Sequence, residues 1–137
     1  MSETLRINQW RINSEFKKRL LELTGEDVIS CFQCGKCTSS CPMTHAMDLM
    51  PNQIIRFAQL GDEETVMRSQ SIYVCASCLQ CQARCPKEIS IARVAEGIRI
   101  LAIGKGIEPY HPNLVPPELL RSAPQQGFVS AFRKYSS

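Results

Sequence analysis

Two things are scarce in this chain: aromatic side chains, at 7% with a single Trp, and net charge, with 16 Lys and Arg against 13 Asp and Glu. The resulting +3 is spread in mixed-sign segments, which excludes the basic stripe of a nucleic-acid binder. A long hydrophobic run is also missing. The start, MSETLRINQWR, has no apolar stretch resembling a signal peptide, and the most apolar later segment, IARVAEGIRILAIG, is interrupted by Arg93, Glu96 and Arg99. These absences predict a soluble, cytoplasmic protein with no membrane insertion, whose 137 residues fit one small core.

What the chain has in excess is cysteine, with eight in all. A disulfide framework, zinc and iron-sulfur clusters each account for such a number. Disulfides persist in oxidising compartments, whereas cysteine clusters in a reducing one are more often metal ligands. The cysteines fall into two runs of equal spacing, CFQCGKCTSSCP from Cys31 to Pro42 and CASCLQCQARCP from Cys75 to Pro86, offset by 44 residues (75 − 31). The halves share little else, which indicates a duplicated ligand loop inside one domain rather than a solenoid.

Each run reads C-x2-C-x2-C-x3-C-P, the spacing of bacterial two-cluster ferredoxins. Three thiolates at three-residue intervals can reach three irons of a cubane while the curling chain turns N–H groups toward the sulfides. In the two-run arrangement the fourth cysteine ligates the other cluster. Cys31, Cys34, Cys37 and Cys85 are then expected to hold one [4Fe-4S] cluster, and Cys75, Cys78, Cys81 and Cys41 the second. Pro42 and Pro86 keep the preceding cysteine out of the helical region. Zinc is the chemical competitor, but its ribbons use paired C-x2-C knuckles, to which the third cysteine and the C-P ending are surplus.

Helical patterns surround the runs. Asn13 or Ser14 can cap a helix with Phe16, Leu20 and Leu23 at helical spacing, ending at Gly25. Pro51 can open a second with Ile54, Ile55 and Ala58 as its buried stripe and Gly61 at its end. Asp62 offers a cap for a short helix through Glu63, Glu64 and Met67. Ser90 precedes Ile91, Val94, Ala95, Ile98 and Leu101, one apolar face of a helix ending near Gly104. The predicted fold is all-α, with a domain over 1–107. From Glu108, the prolines at 109, 112, 116, 117 and 124 exclude a long helix. Tyr110, Leu114, Val115, Leu119, Leu120, Phe128, Phe132 and Tyr135 make 108–137 too apolar for a plain disordered tail. It is expected to pack on its own domain or on a partner.

Other residues attract weaker readings. His45, four residues beyond Cys41, could replace a cysteine on iron, but with both cysteine sets complete a polar loop residue is the preferred reading, and His111, among prolines with no neighbouring acid or nucleophile, is assigned no catalytic role. Met43, Met47, Met50 and Met67 could shield a cluster, but core filling is the preferred role. Lys36, Arg84 and Lys87 flank the ligand loops and could attract an acidic partner or raise a cluster potential, or be ordinary solvated charges.

The stretch from about Phe16 to Gly106 resembles the C subunit of heterodisulfide reductase, an alpha-helical ferredoxin. The resemblance rests on ISCFQCGKCTSSCP, MPNQIIRFAQLG, IYVCASCLQCQARCP and ISIARVAEGIRILAIGKG in that order. It implies a hetero-oligomeric complex. Electrons would arrive from a flavin-containing A-type subunit and leave toward a B-type subunit with Cys-Cys-Gly motifs, which reduces the mixed disulfide of coenzyme M and coenzyme B. This chain contains no adjacent cysteine pair, so that chemistry is expected in trans and the chain itself is expected to conduct. A free ferredoxin-like shuttle and a zinc-stabilised interaction module are the competing functions.

Overall fold

The computed structural model of the chain describes residues 14–107 and 111–132. Asn13, Glu108, Pro109, Tyr110 and Tyr135, singled out in the sequence, lie outside the described residues. The described residues hold helices and no strand, so the fold is all-α. The chain divides into two compact units, 1–107 and 108–137.

In the first unit, α1 spans Ser14–Thr24, α2 Lys36–Ser40, α3 Pro51–Leu60, α4 Glu63–Arg68, α5 Ser71–Val74, α6 Gln80–Arg84 and α7 Ile91–Gly104. Helix α7 is the axis of the unit, because α1, α3, α4 and α5 all pack on it. Its expected apolar face is buried, and Ala102 extends it. Burial of each such large aliphatic side chain stabilises the fold by roughly 1.5–3 kcal/mol. Ser90 Oγ accepts the N–H of Arg93 at 3.4 Å and caps the helix as its sequence position suggested.

Helix α3 opens on Pro51, buries Ile54, Ile55 and Ala58, and stops at Gly61. Asp62 then caps α4 by accepting the N–H of Thr65 at 3.3 Å. In α1, Phe16 and Leu20 are buried but Leu23 is half exposed. The reason lies at the crossing with α7, where Leu20 and Thr24 meet the bare Cα of Gly97 and leave Leu23 beside the seam.

The second unit has a 3-10 turn at Pro112–Leu114, α8 over Pro117–Ser122 and α9 over Gln125–Ala131. Pro117 occupies a first helical position, where its missing N–H costs nothing, and Pro116 and Pro124 stand immediately before the two helices. Leu114, Leu119, Leu120 and Val129 are exposed. No helix among the described residues is long and apolar enough to cross a membrane.

Candidate metal centre

Both cysteine runs fold alike. In each, a loop carries the first two cysteines and a five-residue helix, α2 or α6, carries the third, with the fourth at its C-cap in extended conformation. Gln33 and Gly35 have φ of +59° and +77°, and Ser77 and Leu79, each 44 positions later, have +52° and +61°. Left-handed residues alternating with ordinary ones turn successive N–H groups into a concave nest suited to an anionic group. Helices α2 and α6 pack against each other.

This pairing gathers the eight cysteines into two small cavities. The first is lined by Cys31, Cys34, Cys37 and Cys85, with Gln33, Asn52, Ile55, Ile89 and Ile91 among its walls. Cys41, Cys75, Cys78 and Cys81 line the second, together with Met43, Met47, Pro51, Leu79, Ile91 and Ala92. Each cavity thus takes three cysteines from one run and the fourth from the other. Met43 and Met47 line the second cavity, and Met47 and Met67 are both buried, as core filling predicts.

Four thiols lining one cavity with mostly apolar walls fit the donor set of a cubane cluster. A single zinc ion would instead draw its four sulfurs to about 2.3 Å from one point. Among the described residues no three His, Cys, Asp or Glu side chains are grouped to hold a single ion. Cys34 and Cys78 are exposed, and the other six cysteines are half-buried.

Burial pushes the Cys37 thiol above its ordinary value, against the neighbouring Thr38 and with the help of the nearby charges of Cys31 and Cys81. Ile91 lines both cavities, so the two sites adjoin. Burial also raises the Cys81 thiol, against N–H groups of Ile91, Gln82 and Ala92, and Cys75 adds to the rise. Metal ligation requires thiolates, so loading either site releases protons.

Several supporting residues escaped the sequence reading. Gln59 of α3 donates from Nε2 to the carbonyls of Val28 (2.9 Å) and Cys31 (2.7 Å), fixing the chain as it enters the first run. Arg99 of α7 donates to the carbonyl of Ile72 at 2.6 Å, three residues ahead of Cys75 as Val28 is three ahead of Cys31. The Thr38 hydroxyl donates to Asn52 Oδ1 at 2.7 Å and accepts the Asn52 N–H at 3.1 Å, locking α2 to the start of α3.

Asp48 accepts the hydroxyls of Ser69 (2.7 Å) and Ser71 (2.6 Å) and the N–H groups of Gln70 and Ser71. Burial alone would raise its carboxyl, but these four donors outweigh it and hold the group well below the usual carboxylate range. Only pairing across 21 to 23 residues reveals these partners, and no local pattern announces it. His45 is exposed and Lys36, Arg84 and Lys87 lie on the surface of the ligand loops.

The sequence profile of a 4Fe-4S dicluster domain matches residues 30–90, a span that includes all eight cysteines. The C subunit of the H(2):CoB-CoM heterodisulfide,ferredoxin reductase of Methanothermobacter thermautotrophicus is 33% identical over 106 residues, which cover 77% of this chain and 57% of that protein. The C subunit of the ferredoxin:CoB-CoM heterodisulfide reductase of Methanosarcina mazei is 38% identical over 99 residues, 72% of this chain and 61% of the relative. The C2 subunit of the H(2)/formate:CoB-CoM heterodisulfide,ferredoxin reductase of Methanococcus maripaludis is 39% identical over 103 residues, or 69% and 55%. The matched part of the chain thus spans less than two thirds of the length of these relatives. On this similarity and its dicluster domain, the chain belongs to the family of iron-sulfur C subunits of heterodisulfide reductases and carries two [4Fe-4S] clusters.

Proposed function

We propose that this chain is an electron-transfer subunit, with Cys31, Cys34, Cys37 and Cys85 holding one cluster and Cys75, Cys78, Cys81 and Cys41 the other. The observation that carries the reading is the exchange of the fourth cysteine between the two cavities. Each cluster, when bound, supplies one-electron oxidation and reduction at its irons. The protein's part is to hold two such centres side by side, with Cys34 and Cys78 near solvent where electrons can enter and leave.

The relatives are named for a reductase of the CoB-CoM heterodisulfide. On that basis the donor is a flavin-containing A-type subunit and the acceptor a B-type subunit with Cys-Cys-Gly motifs, in a cytoplasmic hetero-oligomer. This chain offers no Cys-Cys pair for the disulfide chemistry itself. Residues 108–137 form a C-terminal extension to the domain over 1–107, and the exposure of Leu114, Leu119 and Leu120 supports a packing role for it, on the domain or on a partner.

Paramagnetic resonance of the reduced protein tests the ligand sets through Cys41→Ser, Cys34→Ser and Cys78→Ser. The expected result is that Cys41→Ser alters the signal that Cys78→Ser alters. Loss of the Cys34-dependent signal instead would refute the exchange. Purification of the native complex tests the partners: flavin and Cys-Cys-Gly subunits should accompany this chain, and recovery of the chain alone would favour a free shuttle.

A further inference from the structure

The two runs share one spacing of cysteines and proline, and that spacing does not decide which cavity Cys41 or Cys85 joins. The choice falls to the segments that flank the runs, and two carboxylates bridge them. Glu26, five residues ahead of Cys31 (31 − 26), accepts the N–H of Ser90, five residues beyond Cys85 (90 − 85), at 3.1 Å. Asp48 lies seven residues beyond Cys41 (48 − 41). It accepts the N–H of Ser71, four residues ahead of Cys75 (75 − 71), at 2.9 Å and that of Gln70 at 3.1 Å.

Each bridge thus ties the chain ahead of one run to the chain beyond the other, which is the pairing that exchange of the fourth cysteines requires. Short turns transmit the constraint to the sulfurs. Beyond Cys85, the Glu88 N–H returns to the Cys85 carbonyl at 3.1 Å, and Ile89, next to Ser90, lines the first cavity. Ahead of Cys31, Asp27 accepts the Ile29 N–H at 3.0 Å and the Cys31 N–H goes to the Val28 carbonyl at 3.3 Å. Beyond Cys41, the 3-10 turn Thr44–Ala46 leads to Met47, which lines the second cavity next to Asp48. Ahead of Cys75, its own N–H returns to the Ser71 carbonyl at 3.1 Å.

The bridges run in opposite senses along the chain. One has its carboxylate ahead of a run and its N–H beyond the other; the second has its N–H ahead and its carboxylate beyond. Were each fourth cysteine to stay with its own run, the two flanks of the same run would meet instead. Glu26 would then face Asp48, and the Ser71 N–H would face the Ser90 N–H. Acid against acid and donor against donor are both unfavourable, so the wrong pairing is penalised as well as the right one favoured. The Glu26 side chain is only 8% exposed, and Arg93 offsets its charge at 3.4 Å. A buried carboxylate stabilises less than apolar packing does, and its best-attested use is to fix register. We propose that Glu26 and Asp48 are positioning residues that direct Cys85 to the first cluster and Cys41 to the second. The inference rests on the ligand sets proposed above.

Glu26→Ala and Asp48→Ala each remove one bridge. Glu26→Gln and Asp48→Asn keep an amide oxygen able to accept the same N–H. The measurement is anaerobic decay of the paramagnetic resonance signals of the cluster-loaded, reduced full chain in the presence of a chelator, with signals assigned through Cys34→Ser and Cys78→Ser. Glu26→Ala should lose the Cys34-dependent signal about tenfold faster than wild type, the effect of one buried N–H left unpaired, and the Cys78-dependent signal at the wild-type rate. Asp48→Ala should do the reverse, and the Gln and Asn variants should stay near wild type at both sites.

Asp48 has more partners to lose than Glu26, whose Arg93 partner is 63% exposed, so Glu26→Ala decides the matter alone if Asp48→Ala does not fold. Equal acceleration of both signals in Glu26→Ala would reduce the bridge to a general support of the fold and overturn the inference. Loss in Glu26→Gln as fast as in Glu26→Ala would also overturn it, because the bond to Ser90 would then not be what acts. Both outcomes leave the ligand sets standing. Should Cys41→Ser alter the Cys34-dependent signal and spare the Cys78-dependent one, the ligand sets fail first and the inference with them.

Discussion

Gly35 and Leu79 lie at equivalent points of the two ligand loops and share one left-handed conformation, with φ of +77° and +61° and ψ of 1° and 9°. Only the first is a residue suited to it. A Cβ on Gly35 would meet nothing within 4 Å, so the cost of adding one is purely conformational. For Leu79 the loop imposes that cost already, roughly 1–2 kcal/mol for a residue with a Cβ.

Gly35→Ala should therefore destabilise the folded protein by about 1 kcal/mol, although it creates no clash. Leu79→Gly should move stability the other way, by less than that, since Leu79 also covers part of the second cavity. Anaerobic denaturant midpoints of the two variants check the pair. Shifts of the same sign would show that the two loops are not conformational equivalents.

Asp48 supplies a pH-dependent term. Its folded-state value is depressed, so its contribution to stability is fully present above the unfolded value near 3.9 and is lost as pH falls further toward the folded one. Asp48→Asn keeps an acceptor oxygen but loses the charge-assisted bonds. Because the carboxylate is partly solvated, the loss should be about 1 kcal/mol rather than the 1.5–3 kcal/mol of a dry site. Denaturant midpoints should differ between variant and wild type by the same amount at pH 7 and pH 5, and the difference should shrink below about pH 4. A gap that narrows already between pH 7 and pH 5 would mean that Asp48 is not the group held so low.

The crossing of α1 over α7 is set by a missing side chain. A Cβ on Gly97 would fall inside contact distance of Thr24 Cγ2, and Thr24 cannot turn away because its hydroxyl donates to the Leu20 carbonyl at 2.7 Å and accepts the Glu26 N–H at 3.1 Å. Gly97→Ala should cost about 1–3 kcal/mol from overpacking. Thr24→Ser removes the obstructing methyl and keeps both hydrogen bonds. In that background Gly97→Ala should become neutral or stabilising, since Ala is a better helix former than Gly by about 1 kcal/mol. Thermal unfolding of the single and double variants gives the sign.

What was legible in the sequence follows from the range of the interactions concerned. The caps at Asp62 and Ser90, the start at Pro51 and the apolar stripe of α7 are local patterns, and the helices stand where those patterns place them. The short helices α2, α5 and α6 carry no such stripe. They are shaped by cysteine loops and by side chains from distant helices, such as Gln59 reaching back 28 residues to Cys31. Leu79 shows the limit most clearly: nothing about a leucine announces a positive φ, and only its equivalence to Gly35 could have suggested it. Leu23 erred in the opposite direction, because helical periodicity cannot say where a crossing narrows to Leu20, Thr24 and Gly97.

The two clamps ahead of the ligand loops yield a last, paired prediction. Gln59 holds the carbonyl of Val28, and Arg99 holds that of Ile72, at positions separated by the same 44 residues (72 − 28) that separate the runs. Each clamp comes from a different helix, so each can be removed without touching the other. Gln59→Leu leaves the carbonyls of Val28 and Cys31 without their side-chain donor, and Arg99→Met does the same at Ile72. Each loss should cost about 1–3 kcal/mol of local order. That disorder falls on Cys31 in one variant and on Cys75 in the other, so the clusters should respond separately. On exposure to a chelator, Gln59→Leu should lose the Cys34-dependent resonance signal faster than wild type while keeping the Cys78-dependent one, and Arg99→Met should do the reverse. Equal acceleration of both losses in both variants would mean that the clamps stabilise the domain as a whole and that neither loop depends on its own.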